Sequence, residues 1–229
     1  MHWIQKYILQ QLSTRISQRY SELKPENVDG NLFMYHMQRL QNSGYVDKDD
    51  RTYKLSEKGG AFASRMSLRK GLQLIQPKIV VMLICQNSDG DYLLFRWSRQ
   101  PYYGLVSFPF SKLHFGRTLH DTLQEALFYK TQLRGKFNYM GDVYMRALKN
   151  DDVVTEHVLA HLYKVTNVSG TLGAYDGLTG EPFWGNPRDI PQGEQVAGFA
   201  DIFQLISTSE YNFIKEITVI TSSCRNQHG

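Results

Sequence analysis

The apolar positions near the start of the chain follow a helical period. From Trp3 to Leu12 they recur every three or four residues, which predicts an amphipathic helix over about residues 2–14. A short helical stretch at residues 18–23 ends before Pro25. A second amphipathic pattern, NLFMYHMQRLQNSG, follows two candidate N-caps and turns four residues to one face: Phe33, His36, Met37 and Leu40. We interpret His36 as a packed structural residue.

Alternation of apolar and polar residues replaces the helical period after Gly44. The segment YVDKDDRTYKL predicts a strand, a polar turn and a second strand. A helix over residues 56–66 is expected next, with Ser56 as its N-cap. Residues 67–77, SLRKGLQLIQP, carry the Gly and Pro signals of a linker.

Strand-length apolar runs dominate the rest of the chain. Residues 78–86, KIVVMLICQ, are continuously apolar, as expected of a strand that is buried on both faces. The turn NSDG and the strand DYLLFRWS follow, and YMGDVYMRAL and EHVLAHLYKVT predict two further strands. A last helix is predicted within residues 203–217, so this part is expected to be mixed α/β.

Charge is distributed unevenly along the 229 residues. Residues 1–72 carry twelve Lys and Arg against seven Asp and Glu, whereas the remainder carries fourteen against fifteen. A basic module ahead of a nearly neutral one suggests that the first module faces nucleic acid. No apolar run approaches the roughly 20 residues of a membrane helix, no signal peptide is evident, and the two cysteines show no metal or disulfide spacing. We therefore expect a cytoplasmic protein without membrane contact.

The first part of the chain resembles a known class of DNA-binding domain. The stretch FMYHMQRLQNSGYVDKDDRTYKLSEKG is similar to the recognition helix, wing and following helix of ArsR- and MarR-type winged helix-turn-helix regulators. The resemblance implies that outward residues of the helix and cations of the wing contact DNA. These candidate DNA-binding residues are Asn31, Tyr35, Gln38, Arg39, Lys48 and Arg51. The acidic wing tip leaves a protein-interaction module open as an alternative.

The second part resembles another family. Residues 111–133, SKLHFGRTLHDTLQEALFYKTQL, are similar to the Nudix box: Gly, five residues, Glu, seven residues, Arg-Glu, an aliphatic residue, any residue, Glu-Glu, any residue, Gly. Ser111 and Gln132 stand for the two glycines, Arg117 for the first Glu, Glu125-Ala126 for Arg-Glu and Tyr129-Lys130 for Glu-Glu. The resemblance covers roughly residues 77–220, and Pro109 and Lys112 match the segment before the box.

The substitutions in the box bear on its chemistry. Positions 126, 129 and 130 are neighbours on one helix face, where three carboxylates would hold Mg²⁺ or Mn²⁺. Ala126, Tyr129 and Lys130 supply no such ligands, so we expect no catalytic residues, no metal, no cofactor and no enzymatic activity. His114, Asp121 and Glu125 either form an unusual site or are solvated surface, and we favour the second interpretation.

A nucleotide-like ligand remains compatible with this second part. Cations could neutralise its phosphates, and aromatic rings could stack on its base. The candidate ligand-binding residues are Arg96, Arg117, Lys130, Tyr103 and Trp184, with Tyr102 and Phe108 as further stacking candidates.

Together these patterns predict an α+β protein with two domains. Residues 1–70 are expected to form a winged helix-turn-helix, and residues 77–222 a non-catalytic Nudix-like α/β/α sandwich with a mixed sheet. The corresponding function is a homodimeric transcriptional regulator that binds double-stranded DNA, while its Nudix-like domain senses a nucleotide-like effector or mediates dimerisation. The alternatives are a Nudix-family hydrolase of nucleoside diphosphate derivatives with relocated metal ligands, and a non-enzymatic protein-interaction scaffold.

Overall fold

The chain divides into two compact units, Met1–Ile75 and Gln76–Gly229. A computed structural model describes residues 1–66, 76–149, 153–174, 177–208 and 211–221. Most of the segment interpreted as a linker, residues 67–77, lies outside the described residues.

The first unit combines helices with a small antiparallel sheet. In chain order its elements are α1 (Trp3–Leu12), β1 (Gln18–Arg19), α2 (Tyr20–Leu23), α3 (Gly30–Asn42), β2 (Val46–Asp49), β3 (Thr52–Leu55) and α4 (Glu57–Ala63). The strands are ordered β1–β3–β2, and both pairings are antiparallel.

Local capping explains where α3 begins, and the spacing of its apolar residues explains which face it buries. The side chain of Asp29 accepts hydrogen bonds from the backbone N–H groups of Asn31 and Leu32, at 2.9 and 3.0 Å. The face predicted to be apolar is buried in a core that α1 also supplies, with Ile4 and Ile8 among its members.

The predicted helix at residues 18–23 is only partly present. Gln18 and Arg19 form a strand because they pair with Tyr53 and Thr52 of β3, and only Tyr20–Leu23 is helical. A neighbouring strand thus overrides the local helical pattern.

The second unit contains two sheets and two helices in its described residues. Its elements are β4 (Lys78–Cys85), β5 (Tyr92–Trp97), β6 (Val106–Ser107), β7 (Phe110–Lys112), α5 (Leu119–Thr131), β8 (Arg134–Lys149), β9 (Val153–Ser169), β10 (Gly180–Gly185), α6 (Phe199–Thr208) and β11 (Phe213–Thr221). Short 3₁₀ turns occupy Pro187–Asp189 and Gln192–Glu194. The larger sheet is mixed, in the order β11–β8–β9–β4–β7, and the smaller is antiparallel, β10–β5–β6.

Alternation along β4 places the two helices on opposite faces of the larger sheet. Val81, Leu83 and Cys85 pack in one cluster with the α5 residues Leu123, Ala126 and Leu127. Val80, Met82 and Ile84 pack in the other cluster, with Phe199 and Ile202 of α6. The prediction of an α+β protein with a mixed sheet is confirmed.

The predicted helix at residues 203–217 is wrong in its second half. Helix α6 ends at Thr208, and Phe213–Thr221 forms β11, which pairs parallel with β8. The segment IKEITVIT is rich in β-branched residues and alternates, which favours a strand at the sheet edge. The segment GEPFWG forms strand β10, which pairs with β5.

Candidate functional site

The box region folds into a loop and the helix α5. The side chain of Thr118 caps α5 by accepting a hydrogen bond from Asp121 N–H at 3.1 Å. At the other end, Gln132 adopts a left-handed conformation with φ of 59°, where the family pattern has Gly. The box segment therefore forms a capped helix that ends in a left-handed residue at the position of the last Gly of the pattern.

Two charges of the box have exchanged places and still form a pair. The pattern has an acid at position 117 and a base at 125, whereas this chain has Arg117 and Glu125. Arg117 Nη2 donates to Glu125 Oε1 at 2.7 Å. This pair connects the loop before α5 to the middle of the helix.

The three positions that carry metal ligands in the pattern do not fit a divalent cation. Ala126 is buried in the α5 cluster and has no ligand atom, whereas Tyr129 is about half exposed. The Lys130 ammonium lies over the rings of Trp97 and Phe95, 4.3 and 4.7 Å from their centroids. Within the described ranges, no group of three or more His, Cys, Asp or Glu side chains has the geometry to hold a metal ion.

A pocket lies on the opposite, α6 side of the larger sheet. Its cavity of about 90 Å³ is mainly apolar. The apolar lining includes Val80, Met82, Phe108, Phe110, Met145, Val158, Phe199 and Ile202. Its polar lining residues are Lys78, Lys112, Glu156, Tyr102 and Ser107.

Strand pairing explains why three charged residues share this pocket. Lys78 and Val80 project to the same face of β4, since successive side chains alternate. Val80 pairs with Lys112 of β7, and Lys78 pairs with Val158 of β9, two residues from Glu156. The register therefore brings two cations and one carboxylate to one side of the sheet.

Glu156 is the centre of a hydrogen-bond network in the pocket. It accepts a hydrogen bond from Lys78 Nζ at 3.1 Å and another from the Tyr102 hydroxyl. Burial of Tyr102, together with its hydrogen bond to Glu156 and the nearby negative charge, raises the pKa of the phenol above its usual range. Tyr102 therefore stays protonated at neutral pH and remains a donor to the carboxylate.

The five ligand-binding residues predicted from sequence do not meet at this pocket. Arg96 donates to Glu194 at 2.8 Å and to the carbonyl of Gly104 at 2.9 Å, and Tyr103 is exposed in the same loop. Trp184 packs with the cluster on the α5 side. Arg117 and Lys130 occupy the box, as described above, and none of the five lines the pocket.

Sequence reasoning also missed residues that do line the pocket. Tyr102 and Phe108 were recognised as stacking candidates and Lys112 as a match to the family, but Lys78 and Glu156 were not considered. The available signal was that Lys78 and Glu156 each lie in a strand-like segment, two residues before Val80 and Val158, which face α6. The sequence does not show how β4 and β9 align, so this signal alone does not bring Lys78 and Glu156 together.

The candidate DNA-binding residues lie on α3 and the β2–β3 hairpin. Asn31, Tyr35, Gln38 and Arg39 are exposed along α3, and Arg39 Nη1 donates to the Tyr35 hydroxyl at 3.3 Å. Lys48 is exposed on β2, and Arg51 is exposed in the turn that follows it. The structure thus presents all six side chains to solvent.

Comparison of the second unit with solved structures identifies its fold. The mutator MutT protein of Bacillus halodurans aligns with 62% of this chain and 89% of its own, at 18% identity and a TM-score of 0.50. The second unit has the Nudix hydrolase fold. The MutT NUDIX hydrolase of Burkholderia pseudomallei aligns with 57% of this chain and 98% of its own, at 17% identity and a TM-score of 0.48.

A third structure with this fold was solved with a nucleotide derivative. The NUDIX domain of Shewanella oneidensis NrtR, complexed with ADP ribose, aligns with 58% of this chain and 88% of its own, at 14% identity and a TM-score of 0.47. No family model matches the sequence, and no curated protein matches it.

The prediction that the chain is not an enzyme is contradicted. The second unit shares its fold with the mutator MutT protein of Bacillus halodurans, and this is the fold of the Nudix hydrolases, which are enzymes. The prediction relied on the lost box carboxylates alone, and the fold places a second set of charged groups at the pocket. Among the described residues, no helix combines the length and the apolar character required to cross a membrane.

Proposed function

We propose that the second unit hydrolyses the phosphoanhydride of a nucleoside diphosphate derivative, with its reactive groups in the pocket rather than in the box. The observation that carries this proposal is the combination of an apolar pocket with Lys78, Lys112 and Glu156. The apolar cavity of about 90 Å³ has room for a small uncharged group of such a substrate, about the size of one ring, and a few convergent polar groups orient it. Lys112 offers its ammonium to the diphosphate directly, whereas Lys78 is paired with Glu156 at 3.1 Å and its charge becomes available to the phosphate when Glu156 takes up a proton.

The chemistry requires a base and a stabilised leaving group. Glu156 accepts a proton from water, whose oxygen attacks phosphorus while the P–O bond of the anhydride breaks. Lys78 and Lys112 stabilise the negative charge on the departing phosphate. The Tyr102 hydroxyl orients the carboxylate by donating to it.

Turnover of a panel of nucleoside diphosphate derivatives, with ADP-ribose among them, tests this proposal. Glu156→Gln removes the base but keeps its size, and we expect kcat to fall by about 100-fold, within the range typical of general bases, with little change in KM. Glu216→Gln is a matched control, because Glu216 is an exposed carboxylate on β11 paired with Arg146 at 3.1 Å. Equal activity of wild-type and Glu156→Gln would refute the role of Glu156.

We also propose that the first unit is a winged helix-turn-helix that binds double-stranded DNA. Support comes from its element order, in which α2 and α3 follow each other across a short turn and β2–β3 forms a hairpin wing. The exposed amide and guanidinium groups of α3 suit base edges in the major groove. The surplus of Lys and Arg over Asp and Glu in this part of the chain favours phosphate contact.

Fluorescence anisotropy with duplex DNA at several salt concentrations tests the DNA-binding proposal. Binding is expected to weaken steeply as salt rises, and Arg39→Ala is expected to weaken it further. Arg65→Ala is a charge-matched control, because Arg65 is exposed beyond α4 and lies on neither α3 nor the wing. Absence of salt-sensitive binding to any duplex would sink this proposal.

A homodimer would fit a DNA-binding role, since two half-sites one helical turn apart require a two-fold protein. A ligand of the second unit would then act as an effector if it changed DNA affinity, and DNA would change ligand affinity by the same factor. Sedimentation of the full chain with and without DNA measures the oligomeric state; a monomer in both samples would contradict the dimer.

A further inference from the structure

The larger sheet of the second unit ends on one side in a long edge strand. In the order β11–β8–β9–β4–β7, β11 pairs with β8 along one side, and within the described residues of this unit no strand pairs with its other side. Alternate residues of such a strand direct their backbone N–H and C=O groups outward, so the edge can pair with a further strand. Phe213–Thr221 therefore presents nine residues of extended backbone to a partner.

The other edges of the two sheets are less suited to pairing. β7, at the opposite edge of the larger sheet, is three residues long, and β6, in the smaller sheet, has two. β10 contains Pro182, which has no backbone N–H to donate. Short strands and proline both discourage edge pairing. β11 contains neither Pro nor Gly and is rich in β-branched residues, so it is the edge that favours a partner most.

The side chains of β11 differ between its two faces. Phe213, Ile217 and Val219 pack against the cluster on the α6 side. Ile214 and Ile220 project to the opposite face, because successive side chains alternate, and they are 80% and 65% exposed. Covering such apolar side chains is favourable, and a strand beside β11 would cover both.

The sequence of β11 favours a second copy of the same strand as this partner. A two-fold axis keeps each face of the joined sheet continuous when residues of the same face lie opposite each other in an antiparallel pair. With Ile217 at the centre, Ile214 lies opposite Ile220 of the second copy, which gives an apolar contact at each end of the pair. Glu216 then lies opposite Thr218, whose hydroxyl can donate to the carboxylate.

Neighbouring registers are less favourable. A centre at Glu216 places two carboxylates opposite each other, and a centre at Lys215 places two ammonium groups opposite each other, and like charges in these positions destabilise a sheet. A centre at Thr218 places Glu216 opposite Ile220, so the carboxylate gains no hydrogen bond and the isoleucine gains no apolar contact. The register centred on Ile217 avoids all three mismatches and pairs β11 along its whole length.

We propose that β11 pairs antiparallel with β11 of a second copy about a two-fold axis at Ile217, which joins the two larger sheets into one. The contact is isologous, so it closes at two copies. The inference deepens the homodimer proposed above and rests on it, since it assigns the surface of that dimer. It requires no DNA, because the pairing involves the second unit alone.

Sedimentation equilibrium of the full chain without DNA, over a range of protein concentrations, tests both the pairing and the register. Wild-type protein is expected to dimerise. Ile214→Lys with Ile220→Lys places like charges opposite each other at both ends, and the dissociation constant is expected to rise by about tenfold or more. Ile214→Glu with Ile220→Lys places opposite charges there and is expected to dimerise more tightly than the double lysine variant. Within one strand the two positions are about 20 Å apart, so an attraction between them acts across the interface.

A matched control separates this effect from a general change of charge. Ile16→Lys with Phe115→Lys adds the same charge at positions that are 94% and 99% exposed and lie outside β11, and it is expected to dimerise like wild-type protein. Equal dissociation constants for wild-type protein and the double lysine variant of β11 would overturn the inference and leave the proposed homodimer to another surface. A wild-type monomer at every concentration would overturn both.

Hydrogen exchange provides a second readout, which locates the contact. Amides of β11 are expected to exchange more slowly as the protein concentration rises, whereas amides of β10, another edge strand, are expected to exchange at a constant rate. Dimerisation without added protection of β11 would overturn the inference. A dimer that depends on β11 in a protein that binds no duplex would remove the DNA-binding proposal and leave this inference standing.

Discussion

Exchanging the charges of Arg117 and Glu125 restores the order of acid and base in the Nudix pattern and tests whether the ion pair between the two residues stabilises the second unit. Three variants are required: Arg117→Glu, Glu125→Arg and the double exchange. Each single variant places two like charges where the structure has an ion pair of 2.7 Å. The double variant recreates an ion pair of opposite polarity.

The exposure of the two side chains limits the size of the effect. Arg117 and Glu125 are 55% and 40% exposed, so the pair is expected to contribute at most about 1 kcal/mol. A like-charge pair costs about the same amount near water, and each single variant should therefore lose roughly 1–2 kcal/mol. Arg117 also precedes the N-terminus of α5, where a glutamate gains about 0.5 kcal/mol from the helix dipole. The loss in Arg117→Glu is accordingly expected to be the smaller.

Thermal and urea unfolding of the four proteins measure this coupling. The double variant restores an ion pair, so it is expected to be about as stable as wild-type protein and to recover roughly 2–4 kcal/mol relative to the sum of the two single losses. Each single variant is expected to melt about 2–8 °C below wild-type protein, at about 2–4 °C per kcal/mol in a domain of this size. The coupling should shrink at about 0.5 M salt, because exposed charges are screened. A double variant as unstable as that sum would refute the pairing.

Three further predictions concern local structure. A Cβ at Gly59 would overlap the carbonyl oxygen of Tyr45, so Gly59→Ala is expected to destabilise the first unit by on the order of 3 kcal/mol. A Cβ at Gly60 meets nothing within 4 Å, so Gly60→Ala should stabilise α4 by about 0.5 kcal/mol. Equal melting temperatures of the two variants would contradict this difference. Gln132 has a left-handed backbone, and its side chain donates a hydrogen bond to the carbonyl of Ala174 at 2.8 Å. Gln132→Ala should therefore lose about 1 kcal/mol of stability, whereas Gln132→Gly should be nearly neutral because glycine relieves the backbone strain. Urea unfolding compares the two variants, and a Gly variant less stable than the Ala variant would contradict this reasoning. Burial, with the charges of His2 and Arg39 nearby, lowers the pKa of His36. The folded first unit therefore binds fewer protons than the unfolded chain and is expected to lose stability as pH falls below the ordinary His range. Urea midpoints at pH 7.5 and 5.5 measure this loss, and a His36→Gln variant with the same pH dependence would exclude His36 as its cause.

The parts of the fold that sequence predicted are those determined by local patterns. The strand Lys78–Cys85 was expected because a continuous apolar run of that length suits a buried strand, and α3 was expected from its period and its cap. The failures occur where distant strands decide the outcome. Residues 18–19 join β3, and the second half of residues 203–217 joins β8, although neither partner is near in sequence.

The candidate site was less predictable for the same reason. Lys78 and Glu156 are 78 positions apart, and only the register of β4 with β9 places them together. The reversed charges at Arg117 and Glu125 were visible in the sequence, but their pairing depends on how the loop folds against α5. Lys130 was recognised as a cation, whereas its support by Trp97 and Phe95 required the packing of α5 on β5.

The most direct test of the central claim is ³¹P NMR of a nucleoside diphosphate derivative incubated with the full chain and with Glu156→Gln. The proposed mechanism predicts that wild-type protein cleaves the anhydride to two phosphate monoesters, and that Glu156→Gln does so about 100-fold more slowly. Persistence of the diphosphate signal with wild-type protein, or equal cleavage by both proteins, would contradict hydrolysis by the groups of this pocket.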